Sequence, residues 1–153
     1  MKLMVPIAIC LAVGALGSLF TTPEINTWYQ TLQKPSWNPP SWLFAPVWTI
    51  LYILMGVAFS IVWKKPTFRM IKRTAIILFA VQLLLNLAWS WTFFHQHVIG
   101  MAFAEIILLW VSILLCIFFF NRIYKSAALL MVPYISWVSF AAILNYAIWQ
   151  LNR

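Results

Sequence analysis

The side chains of this sequence best suited to chemistry are amides and indoles set at helical spacing inside apolar runs. Gln82, Asn86, Trp89, Ser90 and Phe93 fall at offsets 0, 4, 7, 8 and 11, so they share one face of a helix. Trp137, Phe140, Ala141 and Asn145 do the same at offsets 0, 3, 4 and 8, and Trp48, Tyr52, Met55 and Phe59 at 0, 4, 7 and 11. An amide in hydrocarbon is costly unless bonded. Gln82, Asn86 and Asn145 therefore either bond between helices or stand as polar spots in a cavity. Indole and phenol rings stack on planar π systems with centroids about 4.5–7 Å apart. One aromatic stripe is more often core than binding wall, but three of them, each with a few polar groups, can enclose a flat aromatic ligand.

Other chemistries are poorly served. His95 and His97 end an apolar run with no further His or Cys at a supporting spacing, so no zinc or haem-iron site is expected. Cys10 and Cys116 lie within apolar runs and read as buried small hydrophobes. Glu105 also sits inside such a run, where an ionisable group defaults to a functional role; a hydrogen bond made as the neutral acid, or snorkelling, accounts for it equally.

The elements that must position these residues follow from composition. The 153 residues are 65% hydrophobic and 8% charged, with a mean hydropathy of +0.94. Those values describe an integral membrane protein. A hydrocarbon core about 30 Å thick takes roughly 20 apolar residues per helix, and the chain divides into five such runs, near residues 3–21, 45–63, 74–94, 98–120 and 126–151. The expectation is an all-α bundle of five transmembrane helices forming a single transmembrane domain, 1–153. Pro133 should bend the last span. Gly14 and Ser18, four apart on the first, let backbones approach closely, either within the chain or across a homodimer.

Between the first two spans lies a loop, residues 22–44, longer than most connections. Pro35, Pro39 and Pro40 make its second half stiff and extended, while Pro46 suits the first turn of the next helix. Trp28, Tyr29, Trp37, Trp42 and Phe44 argue that the loop is ordered and caps something. Trp63, which ends the second span, reads equally as part of an interfacial belt.

The net charge of +8 has a topological cause. Lys2, Lys64, Lys65, Arg69, Lys72, Arg73, Arg122 and Lys125 fall on one side of the spans, against Lys34 and Arg153 on the other. Positive residues collect in cytoplasmic loops, so the N-terminus and the loop 64–73 are expected inside, and the loop 22–44 and the C-terminus outside. No nucleic-acid partner is expected. Contact of the basic loop with anionic membrane lipids is an expectation of the same charge distribution. The first run resembles a secretory signal in outline, but retaining it as a helix makes the positive-inside count work.

Three blocks carry a resemblance that covers nearly the whole chain. They are Pro35-Ser-Trp37-Asn-Pro39-Pro40-Ser-Trp42 continuing to Pro46-Val-Trp48 and Leu51-Tyr52; Gln82-Leu-Leu-Leu-Asn86-Leu-Ala-Trp89-Ser-Trp-Thr-Phe93-Phe94; and Pro133-Tyr134 through Trp137, Phe140-Ala141, Leu144-Asn145-Tyr146 and Trp149. Together they resemble the tryptophan-rich sensory protein or translocator protein family, whose animal members are the peripheral benzodiazepine receptors. The resemblance implies a five-helix bundle, often dimeric, with a cavity open toward the first loop. It implies porphyrins and synthetic benzodiazepine-type or isoquinoline carboxamide ligands as partners, with Trp48, Asn86, Trp89, Trp137, Phe140 and Ala141 matching cavity-lining positions. Glu105 stands where the family often has Asp. The absence of a longer N-terminus or tail leads to the expectation of a bacterial member, in the cell membrane.

The sequence departs from the family in two places. Leu144 and Tyr146 are present from the family's cholesterol motif, but six residues separate Tyr146 from Arg153, one beyond the motif's reach. Ser41 replaces a histidine common in animal members. The expected ligand wall is Trp48, Tyr52, Gln82, Asn86, Trp89, Phe93, Trp137, Phe140, Ala141 and Asn145. Its lid is Trp28, Tyr29, Lys34, Trp37 and Trp42, with Lys34 paired to a porphyrin propionate. No cofactor is required. Porphyrin is the ligand to be sensed, sequestered or moved, or it is the substrate of a light- and oxygen-dependent degradation using Trp48 and Trp137. A lipid or sterol transporter, or a partner of another membrane complex, is the further alternative.

Overall fold

The computed structural model describes residues 3–153; Lys2, counted with the cations of the basic side, lies outside them. Six helices account for most of the described chain: α1 (Met4–Ile25), α2 (Phe44–Lys64), α3 (Arg69–Ser90), α4 (Ile99–Ile123), α5 (Lys125–Leu130) and α6 (Val132–Leu151). With α5 and α6 forming one span, five segments are long and apolar enough to cross a membrane, and no strand occurs among the described residues. The protein is an all-α integral membrane protein.

The spans close into a ring. α1 packs on α2, α2 on α5, α6 on α4, α4 on α3, and α3 back on α1. α2 meets the last span chiefly through α5, at the basic end, and only slightly through α6. The bundle is therefore shut at the basic end and parted toward the long loop. Small residues shut it. A Cβ on Gly56 would fall 2.5 Å from the Cα of Ile7, so α1 and α2 are in backbone contact there. A Cβ on Gly14 would lie 2.7 Å from the ring of Tyr52. Packing within the chain thus accounts for Gly14.

Three boundaries differ from expectation. The loop was expected to begin at Thr22, yet α1 runs through Pro23 to Ile25. Pro23 sits in the last turn, where it costs one backbone bond, and the Thr27 hydroxyl donates to its carbonyl (2.8 Å). The stretch from Pro35 to Pro40 is not uniformly extended, because the Asn38 N–H bonds the Pro35 carbonyl at 3.1 Å and folds a turn. The last span does not merely bend at Pro133. It breaks at Met131 and restarts with Pro133 in the first turn of α6, the position where a missing donor costs least.

At the far end of α3 the chain widens into a π turn, Trp91–His95. His97 follows with φ of 62°, a left-handed conformation that histidine adopts more readily than most residues.

Candidate ligand cavity

The parted half of the bundle encloses a cavity of about 480 Å³, within the usual range for small-molecule sites. Four elements and the loop wall it. From α2 come Trp48 and Tyr52, from α3 Asn86 and Trp89, from the π turn Phe93 and Phe94, and from α6 Trp137, Phe140, Ala141 and Asn145. Nine of the ten residues expected on the wall are on it. The exception is Gln82, which is fully buried beneath the cavity.

Gln82 belongs to a polar network that forms the cavity floor. The Tyr52 hydroxyl donates to Asn86 Oδ1 (3.0 Å), Asn86 Nδ2 donates to the Tyr134 hydroxyl (2.7 Å), and that hydroxyl donates to Gln82 Oε1 (2.7 Å). Gln82 Nε2 in turn points at Met55 Sδ, 3.7 Å away. The network ties α2, α3 and α6 together at one level. For Gln82 the interhelical account of a membrane amide is the one realised, whereas Asn86 both bonds between helices and faces the cavity. Asn145 is similarly occupied, accepting from Trp89 Nε1 (2.9 Å) and donating to the Ile99 carbonyl (3.1 Å).

One donor in the wall has no such partner. Trp137 Nε1 is buried and makes no hydrogen bond, although a buried unpaired donor costs about 1–3 kcal/mol. Its ring lies 5.4 Å from Phe140 and 6.4 Å from Phe44. Trp48, on α2, packs on Tyr52 at 5.9 Å. No residue of the wall is charged or is a His or Cys. The cavity thus offers broad π faces, and it holds no acid–base or nucleophilic set.

A second wall was not read from the sequence. Gly14, Ala15, Gly17, Ser18 and Thr21 of α1 line the cavity opposite the aromatics. The spacing of Gly14 and Ser18 was read as a packing signal; it is one at Gly14, where Tyr52 fills the space, while Ala15 and Ser18 leave room for a ligand. Phe94 was also missed as a wall residue. The π turn places it on the cavity five residues after Trp89, and wide turns of this kind carry no periodic mark in a sequence.

Of the five lid residues only Tyr29 lines the cavity. Its ring packs on Phe44, Phe93 and Phe94, and its hydroxyl donates to Asn38 Oδ1 (2.9 Å). Burial pushes its pKa up to about 12, against a smaller opposing effect of the Asn38 bond. Lys34 is turned to other work: its ammonium donates to the Tyr29 and Leu32 carbonyls (2.8 and 3.1 Å), which staples the loop to itself. Trp37 covers Phe140 from outside at 5.8 Å, and Trp42 is exposed.

Two clasps hold this lid. Trp28 stacks flat on His97 at 4.0 Å, and His97 Nε2 lies 3.4 Å from Glu24 Oε2 at the end of α1. On the other side, the Gln33 N–H donates to Asn152 Oδ1 (2.9 Å) while Asn152 Nδ2 donates to the Gln33 carbonyl (2.8 Å). Glu105 is remote from the wall. It accepts from the Thr92 hydroxyl at 3.0 Å through Oε1, while its buried Oε2 has no partner.

The chain is similar over most of its length to known proteins. The chain is 50% identical to the tryptophan-rich protein TspO of Chlorobaculum tepidum, over 95% of this chain and 92% of that protein. Its identity to the tryptophan-rich protein TspO of Archaeoglobus fulgidus is 38%, over 99% and 97%. With the translocator protein of Ovis aries it is 37%, over 92% and 83%. Residues 6–150, which take in all five spans but for a few terminal residues and the whole of the capped cavity, match a single family description, and the chain belongs to that TspO/MBR family.

Proposed function

We propose that this membrane protein binds porphyrins in the aromatic cavity and senses, sequesters or moves them. The observation that carries the reading is the set of broad π faces in a wall without a charged, His or Cys side chain. A flat macrocycle gains stacking on Trp48 and Trp137. A metal-free ring asks for no axial ligand. Its carboxylates cannot be buried unpaired in a neutral wall, so the propionates point out through the mouth beneath the loop. The same π-lined space suits benzodiazepine-type and isoquinoline carboxamide ligands. The basic loops face the cytoplasm and the lid faces outward, in a bacterial cell membrane, with a homodimer as the assembly.

The test is tryptophan-fluorescence quenching titrated with protoporphyrin, comparing the wild type with a Trp48→Phe, Trp137→Phe double variant. Saturable quenching that is lost in the variant supports the reading; equal affinity in both overturns it. One observation favours a second reading, light- and oxygen-dependent porphyrin degradation. Trp48 and Trp137 both stand in a wall with no acid–base set, and photochemistry needs none. A new absorbing product formed only in illuminated wild type identifies it, and the same rate in protein-free detergent dismisses it.

A further inference from the structure

We propose that the basic end of the molecule holds one anionic glycerophospholipid, with an acyl chain in a groove between α1, α2 and α3 and the phosphate on Arg69 and Arg73. The groove measures about 170 Å³, shares no residue with the aromatic cavity, and is lined wholly by apolar side chains, among them Pro6, Ile9, Phe59, Ile76, Phe79 and Ala80. Phe59 and Phe79 pack at 4.8 Å with their rings tilted by 37° to form its back. Gly56 draws α1 onto α2 at Ile7, and the small exposed side chain of Ala80 leaves the slot open toward the bilayer.

The α3 wall runs straight into the cations. Arg69, Arg73, Ile76 and Ala80 fall at offsets 0, 4, 7 and 11, one stripe of the helix. With a rise of about 1.5 Å per residue, Arg73 stands about 4.5 Å along the axis beyond Ile76, and Arg69 about 10 Å beyond it. Two neighbouring cations are engaged elsewhere. Lys72 Nζ donates to the Trp63 carbonyl (2.9 Å), and Lys65 Nζ sits 4.1 Å above the Tyr124 ring. Arg69 and Arg73 are exposed, and no carboxylate pairs with them. Among the described residues the one ion pair, His97 with Glu24, lies at the opposite end.

Charge decides the occupant. A neutral lipid would fill the groove and leave the guanidinium groups idle, and the apolar lining offers no atom to orient a sterol hydroxyl. A phosphate gives both arginines charge-assisted bonds, and the attached acyl chain continues along the same stripe.

The test uses the purified full-length protein in detergent, with native mass spectrometry after exposure to equimolar dioleoylphosphatidylglycerol and dioleoylphosphatidylcholine. The expected result is one retained lipid, phosphatidylglycerol, favoured about fivefold or more. Arg69→Gln with Arg73→Gln brings the two lipids to parity. Ala80→Leu, which fills the slot but keeps the cations, lowers retention of both lipids and preserves the preference. Parity in the wild type, or an intact preference in the double arginine variant, overturns the proposal. Retention unchanged by Ala80→Leu, or displacement of the lipid by glycerol phosphate alone, overturns the groove as its seat.

Discussion

The two halves of the bundle use similar residues to opposite ends. At the basic end Gly56 lets α1 and α2 close until their backbones touch at Ile7. In the half beneath the loop, the equally small Ala15 and Ser18 line a cavity whose other walls are aromatic. The polar groups divide in the same way. Tyr134, in the floor, donates to Gln82 and accepts from Asn86, whereas Trp137, in the wall, keeps its donor unspent. Small residues and buried amides therefore acquire a role only from what stands across from them.

Substitutions should separate the halves. Tyr134→Phe leaves Asn86 Nδ2 and Gln82 Oε1 unpaired, at about 1–3 kcal/mol for each. The melting temperature in detergent should fall most in this variant, with little change in porphyrin affinity because Tyr134 is not on the wall. An affinity loss as large as the stability loss would erase the distinction between floor and wall. Gly56→Ala forces α1 away from α2 and should cost about 1–3 kcal/mol, again read as melting; an unchanged melt would show that the basic end is not closely packed.

Trp137→Phe should show the reverse pattern. Removing an unpaired donor leaves melting nearly unchanged, while porphyrin affinity drops about fivefold, or about 1 kcal/mol. Equal binding with an altered melt would move Trp137 to the structural side. The smallest effect concerns the lid. The Tyr29 phenol is held neutral to about pH 12, above the value of about 10 expected in the unfolded chain. Its contribution is thus fully present below pH 10 and disappears as pH rises through about 12. Alkaline titration of tyrosinate absorbance should lose a late component in Tyr29→Phe. Loss of a component near pH 10 instead would mean that the loop does not shield Tyr29.

Much of this was legible beforehand because lipid enforces it. Backbone groups must bond within a helix, so apolar runs become spans, and the stripes of α2, α3 and α6 give most of the wall. What escaped was local or relational. The helix continues through Pro23, whose carbonyl takes a bond from Thr27, and the last span breaks at Met131, two residues before Pro133, rather than bending. Phe94 reaches the cavity only because the helix widens after Ser90. Lys34 looked like a partner for a carboxylate because nothing in a sequence shows which carbonyls a loop will present to its own cation.

The clasp between Gln33 and Asn152 spans 119 residues. During synthesis the lid emerges directly after the first span, and its partner Asn152 follows only after the other four. Because a contact so distant in the chain forms only after everything between has been placed, this side of the lid is fastened after the last span has packed. Closing the lid is thereby a late step in assembly, and it reports that the bundle beneath it is in place.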